Sequence, residues 1–197
     1  MRQAAFLTIL LGLAFRLGAV TTVDVKEVYG IHPVVESSMV AATAAGELVP
    51  LVFADDLIRE RCPCNPDEVD AFDRPVIGNQ DPLANAASNW ELASALAAPL
   101  ALDAWDIGLS PAFAEDALVY AETLTLNGAL VTLAKYVYQR PLPRVYAGQD
   151  PQLEQEPGGY RSFYSGHTSF TFAALTAASL TQNERERALL LGRARAL

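Results

Sequence analysis

Two short stretches of this 197-residue chain combine residue types that can handle an anion. One is Ser165-Gly166-His167, followed by Thr168 and an apolar run to Leu180. A serine and a glycine opening a helix offer a hydroxyl, backbone N–H groups that a ligand can approach closely, and the positive end of the helix dipole. His167, one of two histidines in the chain, adds a group able to give or take a proton near neutral pH. A plainer reading fits the same residues: Ser165 caps a helix and His167 lies on its first turn.

The other stretch runs from Lys135 to Arg144. Upstream of it, Ser110-Pro111 read as an N-cap with proline at the first helical position, and Glu115 and Asp116 follow where the dipole favours negative charge. Arg140 precedes Pro141 and is pushed out of the helical region, so the helix is predicted to run from 110 to about Gln139. At 100° per residue, Ala117, Leu124, Gly128 and Val131 fall within about 40° of Lys135. Lys135 therefore ends an apolar stripe, where an ammonium is costly unless an anion compensates it. Glu122 is a poor candidate for that anion, about 220° away around the helix. A last-turn lysine with its stem along the surface and its head in water fits the same pattern.

The elements that hold these stretches read as helices. Pro33 to Ala54 is apolar but broken by Glu36, Glu47 and Pro50, a poor membrane span and a reasonable buried helix or pair of short helices. Arg61 to Pro82, with its prolines, Asp and Asn, has the chemistry of a loop. Cys62 and Cys64, separated only by Pro63, can form only a strained bridge and supply too few ligands for zinc, so they are expected as two thiols in a turn. Ala84 to Ala104 favours helix, interrupted near Pro99. Pro141 to Gly159 is an irregular connection; a helix covers Thr168 to Leu180, Thr181-Gln182-Asn183 ends it, and another helical pattern begins at Glu184. No strand pattern competes, and the fold class is all-α.

Length and a hydrophobic content of about half indicate one domain. The net charge of -9, with scattered Lys and Arg, disfavours a nucleic-acid partner but leaves room for one local basic pocket. Residues 1–19, with Arg2 before the apolar run Ala4 to Phe15, read as a signal peptide or an N-terminal anchor, and the protein is expected to be exported, periplasmic or membrane-associated.

In chain order, Lys135, the Arg140-Pro141 turn, a connecting loop and Phe163-Tyr164-Ser165-Gly166-His167-Thr168-Ser169 resemble the superfamily of type 2 phosphatidic acid phosphatases and vanadium haloperoxidases, whose first two motifs are K-x6-R-P and P-S-G-H. The resemblance covers residues 110–181, with an echo in Arg61-Cys62-Pro63-Cys64 and Phe72-Asp73-Arg74. It implies a helical-bundle core in which Lys135 and an arginine, with Ser165 and Gly166, bind the phosphoryl oxygens and His167 is the general acid, with no metal. Three departures stand out. The K-x6-R-P count from Lys135 lands on Leu142-Pro143, which leaves Arg140 or Arg144 to do the arginine's work; Tyr164 replaces the motif's proline; and no S-R-x5-H-x3-D segment, the source of the family's histidine nucleophile, follows His167.

The organisation expected from this resemblance is a leader at 1–19, a helical segment with a Pro/Cys-rich loop at 20–109, and a partial phosphatase core at 110–197, incomplete before the third motif. The expected function of the lineage is hydrolysis of phosphate monoesters, lipid phosphates or related esters, with no cofactor and with association at a membrane surface; a chain without the nucleophile motif would itself be inactive. The alternatives are a non-catalytic phosphate or lipid-headgroup binder, and a haloperoxidase that would require vanadate.

Overall fold

The computed structural model describes residues 28–59 and 62–195, with side chains described through Leu189; the leader at 1–19 lies outside the described residues. Among these, the secondary structure is helical, with no strand. The four long helices are α1 (Pro33–Val52), α2 (Pro82–Ile107), α3 (Pro111–Tyr138) and α4 (Gly166–Arg195), and the connections carry short helical turns. Each of the first three begins with proline at a position whose N–H a helix does not need, and Asp81 and Ser110 cap α2 and α3 through their side-chain oxygens.

Side-chain contacts fix the directions. Thr43 donates to Thr125 at 2.7 Å, Gly46 faces Ala129, and Gln139 donates to the carbonyl of Leu57 at 2.8 Å, so α1 runs parallel to α3. Helix α4 runs against α3: Gly166 lies beside Lys135, Ser169 donates to Asn127 at 2.6 Å, and Arg185 reaches Asp116 near the start of α3. Helix α2 lies along α4, with Asn89 at His167 and Leu96 and Leu100 against Ala174, Ala177 and Tyr120, the small apolar core.

Three sequence expectations are corrected here. Helix α2 passes through Pro99 without interruption. A proline inside a helix removes the N–H that would bond the carbonyl four residues back. That carbonyl belongs to Ala95, and the buried Tyr120 hydroxyl of α3 donates to it at 3.3 Å and to the Leu96 carbonyl at 3.0 Å. Helix α4 likewise does not stop at Thr181-Gln182-Asn183. Thr181 turns its hydroxyl back to the Ala178 carbonyl, and Arg185, one turn on, is buried against Asp116, Glu115 and the Ala112 carbonyl, which anchors the continuation. The two cysteines are joined as a disulfide, their Cα atoms 4.4 Å apart, within the span such a bridge covers.

Helix α1 is a single helix with no buried residue, so the expected buried helix is instead an apolar rod laid on α3. Its Glu47 carboxylate lies over Gly128, where any Cβ would collide with it. At the opposite end of the bundle from Lys135, Asp103 joins the Arg185 cluster; burial, then the charge of Asp116, pushes its carboxyl up to about 6.

The Pro99–Tyr120 arrangement is testable. Tyr120→Phe is expected to cost about 1–3 kcal/mol in urea unfolding, because a buried carbonyl loses its donor. Adding Pro99→Ala, which restores the missing N–H, is expected to recover part of that loss. Equal and additive effects of the two changes would contradict the account.

Candidate phosphate site

The start of α4 brings together the residues expected from sequence to form an anion cradle. Ser165 caps the helix: its Oγ accepts from the Thr168 N–H at 3.2 Å and its carbonyl accepts from Ser169 N–H at 3.0 Å. The Ser165 hydroxyl hydrogen remains available to a ligand, and the Gly166 and His167 N–H groups have no acceptor among the described residues. Unsatisfied first-turn N–H groups and the helix dipole together favour an anion at this point.

Lys135 closes the cradle from α3. Its Nζ lies 3.7 Å from where a Gly166 Cβ would sit, so the glycine is what lets the ammonium come alongside the helix start. Burial, then the charge of Arg161, lowers the Lys135 pKa below the ordinary lysine value. Neither Lys135 nor Arg161 has an acidic partner among the described residues. A half-buried lysine thus stands beside a helix N-terminus with no acidic partner among the described residues, and a second cation is near enough for its charge to be felt there.

The loop between α3 and α4 holds Arg161 in place. Leu142 N–H donates to the Gly159 carbonyl at 2.7 Å and Ser162 N–H to the Arg140 carbonyl at 3.0 Å, tying both ends of the loop together. Tyr160 is wholly buried and donates to the Glu154 carbonyl at 2.7 Å, and a Cβ on Gly159 would collide with the Leu153 carbonyl. Arg161 follows directly, its guanidinium 3.7 Å from where a Gly158 Cβ would be.

Of the residues singled out from sequence, Lys135, Ser165, Gly166 and His167 come together. Arg140 is ion-paired with Asp73 at 2.7 Å, which gives the Phe72-Asp73-Arg74 segment a structural task. Arg144 lies exposed on the helical turn Pro143–Tyr146. Sequence reasoning passed over Arg161 and Asn89. The available signal for Arg161 was its place as the last cation before the Ser-Gly-His turn; Asn89, on another helix, gave none. Asn89 Oδ1 stands 2.7 Å from His167 Nε2. With the amide oxygen on that side, the proton of a neutral imidazole sits on Nε2 and Nδ1 is the unprotonated nitrogen.

His32, the other histidine, caps the start of α1. Because α1 runs parallel to α3 and Val28 N–H bonds Glu115, that end of the bundle lies about 30 Å from Lys135 at 1.5 Å per residue. His32 does not reach the cradle.

The family model described as "PAP2 superfamily" matches residues 116–195, a span that takes in Lys135, Arg161 and the whole Ser-Gly-His turn. No curated protein and no solved structure matches the chain.

The uncompensated lysine yields a stability prediction. A lysine whose folded pKa is depressed destabilises the fold while both states are protonated, and the penalty fades as pH rises through the lowered value. Lys135→Met is therefore expected to raise the Tm in phosphate-free buffer at pH 7, and phosphate, which raises the Tm of the unsubstituted protein, is expected to leave the variant's unchanged. A variant that melts lower without phosphate and still responds to it would contradict the site.

Proposed function

With residues 116–195 assigned to the PAP2 superfamily, we propose that this protein binds the phosphoryl group of a phosphate monoester at the start of α4, in the manner of a phosphatase. The observation that carries the reading is Lys135, without an acidic partner among the described residues, beside a helix start whose Gly166 and His167 N–H groups have no acceptor among them, with the charge of Arg161 close by. A phosphate brings two to three charged oxygens and satisfies these donors together, and charge-assisted bonds of this kind are the strong ones.

The proposed roles are these. Lys135 and Arg161 neutralise the equatorial oxygens, where fixed donors do most in phosphoryl transfer. The Ser165 hydroxyl and the Gly166 N–H direct bonds at the same group. His167, held by Asn89 through Nε2, presents Nδ1 and in its imidazolium form gives a proton to the leaving oxygen. Arg161 takes the part of the arginine that the K-x6-R-P spacing replaces by Leu142. Attack on phosphorus is not work for His32, at the far end of the bundle, so these residues account for binding and leaving-group protonation rather than for a complete hydrolytic cycle.

The same donors fit vanadate, a tetrahedral oxyanion of phosphate's shape, which Lys135, Arg161 and the Gly166 N–H would hold by the same oxygens. When bound it would supply the oxidative chemistry of the haloperoxidases. Substrate size and setting belong to this proposal too. The stretches Pro33–Val52 and Pro111–Tyr146 are long and apolar enough to cross a membrane by length and composition, and the leader-like 1–19 segment fits export. Both support a site working at or near a membrane surface.

Calorimetric titration with inorganic phosphate tests the reading. Binding is expected to be saturable and unchanged by EDTA, and Arg161→Gln is expected to weaken it about tenfold or more, the loss of one charged hydrogen bond. Failure to bind phosphate, or binding abolished by EDTA, would overturn it.

A further inference from the structure

Three aromatic residues next in sequence to the cradle residues lie outside the buried core. Tyr138 lies one helical turn beyond Lys135 on α3, and Phe163 and Tyr164 immediately precede Ser165. The rings of Tyr138 and Phe163 are stacked, centroids 4.0 Å apart and planes within 5°, and Tyr164 meets Phe163 edge-on at 5.6 Å. All three remain exposed, Tyr138 by 57% and the other two by 38% each. Rings that pack for the core are buried; these are ordered against one another while still open to a ligand.

Resting on the phosphate-site reading, we propose that Tyr138, Phe163 and Tyr164 form the leaving-group subsite and that the protein's ligands are aryl phosphates, monoesters whose ester oxygen is carried by a flat aromatic ring. Position carries the first part of the argument. Residues three apart on a helix have Cβ atoms about 5–6 Å apart, so the Tyr138 ring starts beside the lysine that holds the phosphoryl group. Phe163 and Tyr164 begin one and two peptide units before the capping serine. The rings thus come from both segments that supply the cradle residues, the end of α3 and the turn before α4.

Ring geometry carries the second part. A stacked pair with a third ring set at 76° to it makes a flat face and an edge, the two surfaces an aromatic guest prefers to meet. An alkyl group would gain from the apolar area alone, whereas a planar ring adds the face-and-edge contribution, worth about a two- to twelvefold gain in affinity. None of the three is an acidic side chain such as Asp or Glu, so the nearby cations are left to the phosphate. The uncharged subsite also costs little desolvation when an apolar ring enters.

Titration of the full chain with four ligands decides the matter: inorganic phosphate, methyl phosphate, phenyl phosphate and cyclohexyl phosphate. The expected result is that phenyl phosphate binds about two- to twelvefold tighter than both esters without a ring face. Phe163→Leu is expected to shrink the ratio of phenyl to cyclohexyl affinity toward one, a comparison made within one variant. Phosphate binding with phenyl phosphate no tighter than methyl phosphate would overturn the subsite while leaving the cradle standing. Equal affinity for phenyl and cyclohexyl phosphate would also overturn it, in favour of aliphatic esters. Failure of every ligand, inorganic phosphate included, would remove the cradle and this inference with it.

Discussion

A half-buried lysine beside a helix start, near a second cation and with no acidic partner among the described residues, sets the terms for the rest of this molecule. Lys135 and Arg161 repel one another, and burial makes the lysine's charge more costly still. A fold selected for stability alone would place a carboxylate there, as it does elsewhere: Arg140 has Asp73, and Arg185 has Asp116 and Glu115. Lys135 stands instead beside the N–H groups of a helix start, an arrangement that, on the proposed reading, an anion would make favourable. Strain of this kind, held by the surrounding structure, is what a binding site stores before its ligand.

Holding that arrangement requires the bundle to be pinned away from the site, and polar contacts do much of the pinning. The apolar core is small, centred on Tyr120, Ala174 and Ala177. Around it, the Tyr120 hydroxyl replaces the donor that Pro99 lacks, Asn127 receives Ser169 just below the cradle, and Arg185 ties the far half of α4 to the start of α3. Each fixes the rotation or slide of one helix against another. Together they bring Gly166 alongside Lys135 without any contact to the ligand itself. The compact turn at Gly159-Tyr160, where a side chain on the glycine would strike the Leu153 carbonyl, does the same for Arg161.

Local chemistry made part of this legible from the sequence. Ser110 as a cap, the end of α3 before Arg140-Pro141, the turn at Ser165-Gly166 and the all-helical class follow from short-range rules of capping, proline placement and periodicity, and α3 and α4 start where those rules put them. Features set by tertiary partners were not legible in the same way. Pro99 breaks a helix only if its orphaned carbonyl finds no donor, and that donor is a tyrosine on another helix. Thr181-Gln182-Asn183 reads as a stop until Arg185 is seen buried beyond it. Lys135 could be placed on an apolar stripe, but its neighbour Arg161 comes from a loop whose shape depends on Gly159 and Tyr160. Asn89, more than seventy residues before His167, meets it only through the packing of α2 along α4.

The most direct measurement is crystallographic localisation of tungstate, a heavy tetrahedral oxyanion, in crystals of the full chain. The account predicts one strong anomalous peak within hydrogen-bonding reach of Lys135 Nζ, the Arg161 guanidinium and the Gly166 N–H. A cradle that stays empty while tungstate occupies other sites, or a Lys135 ammonium found paired with a carboxylate, would contradict it.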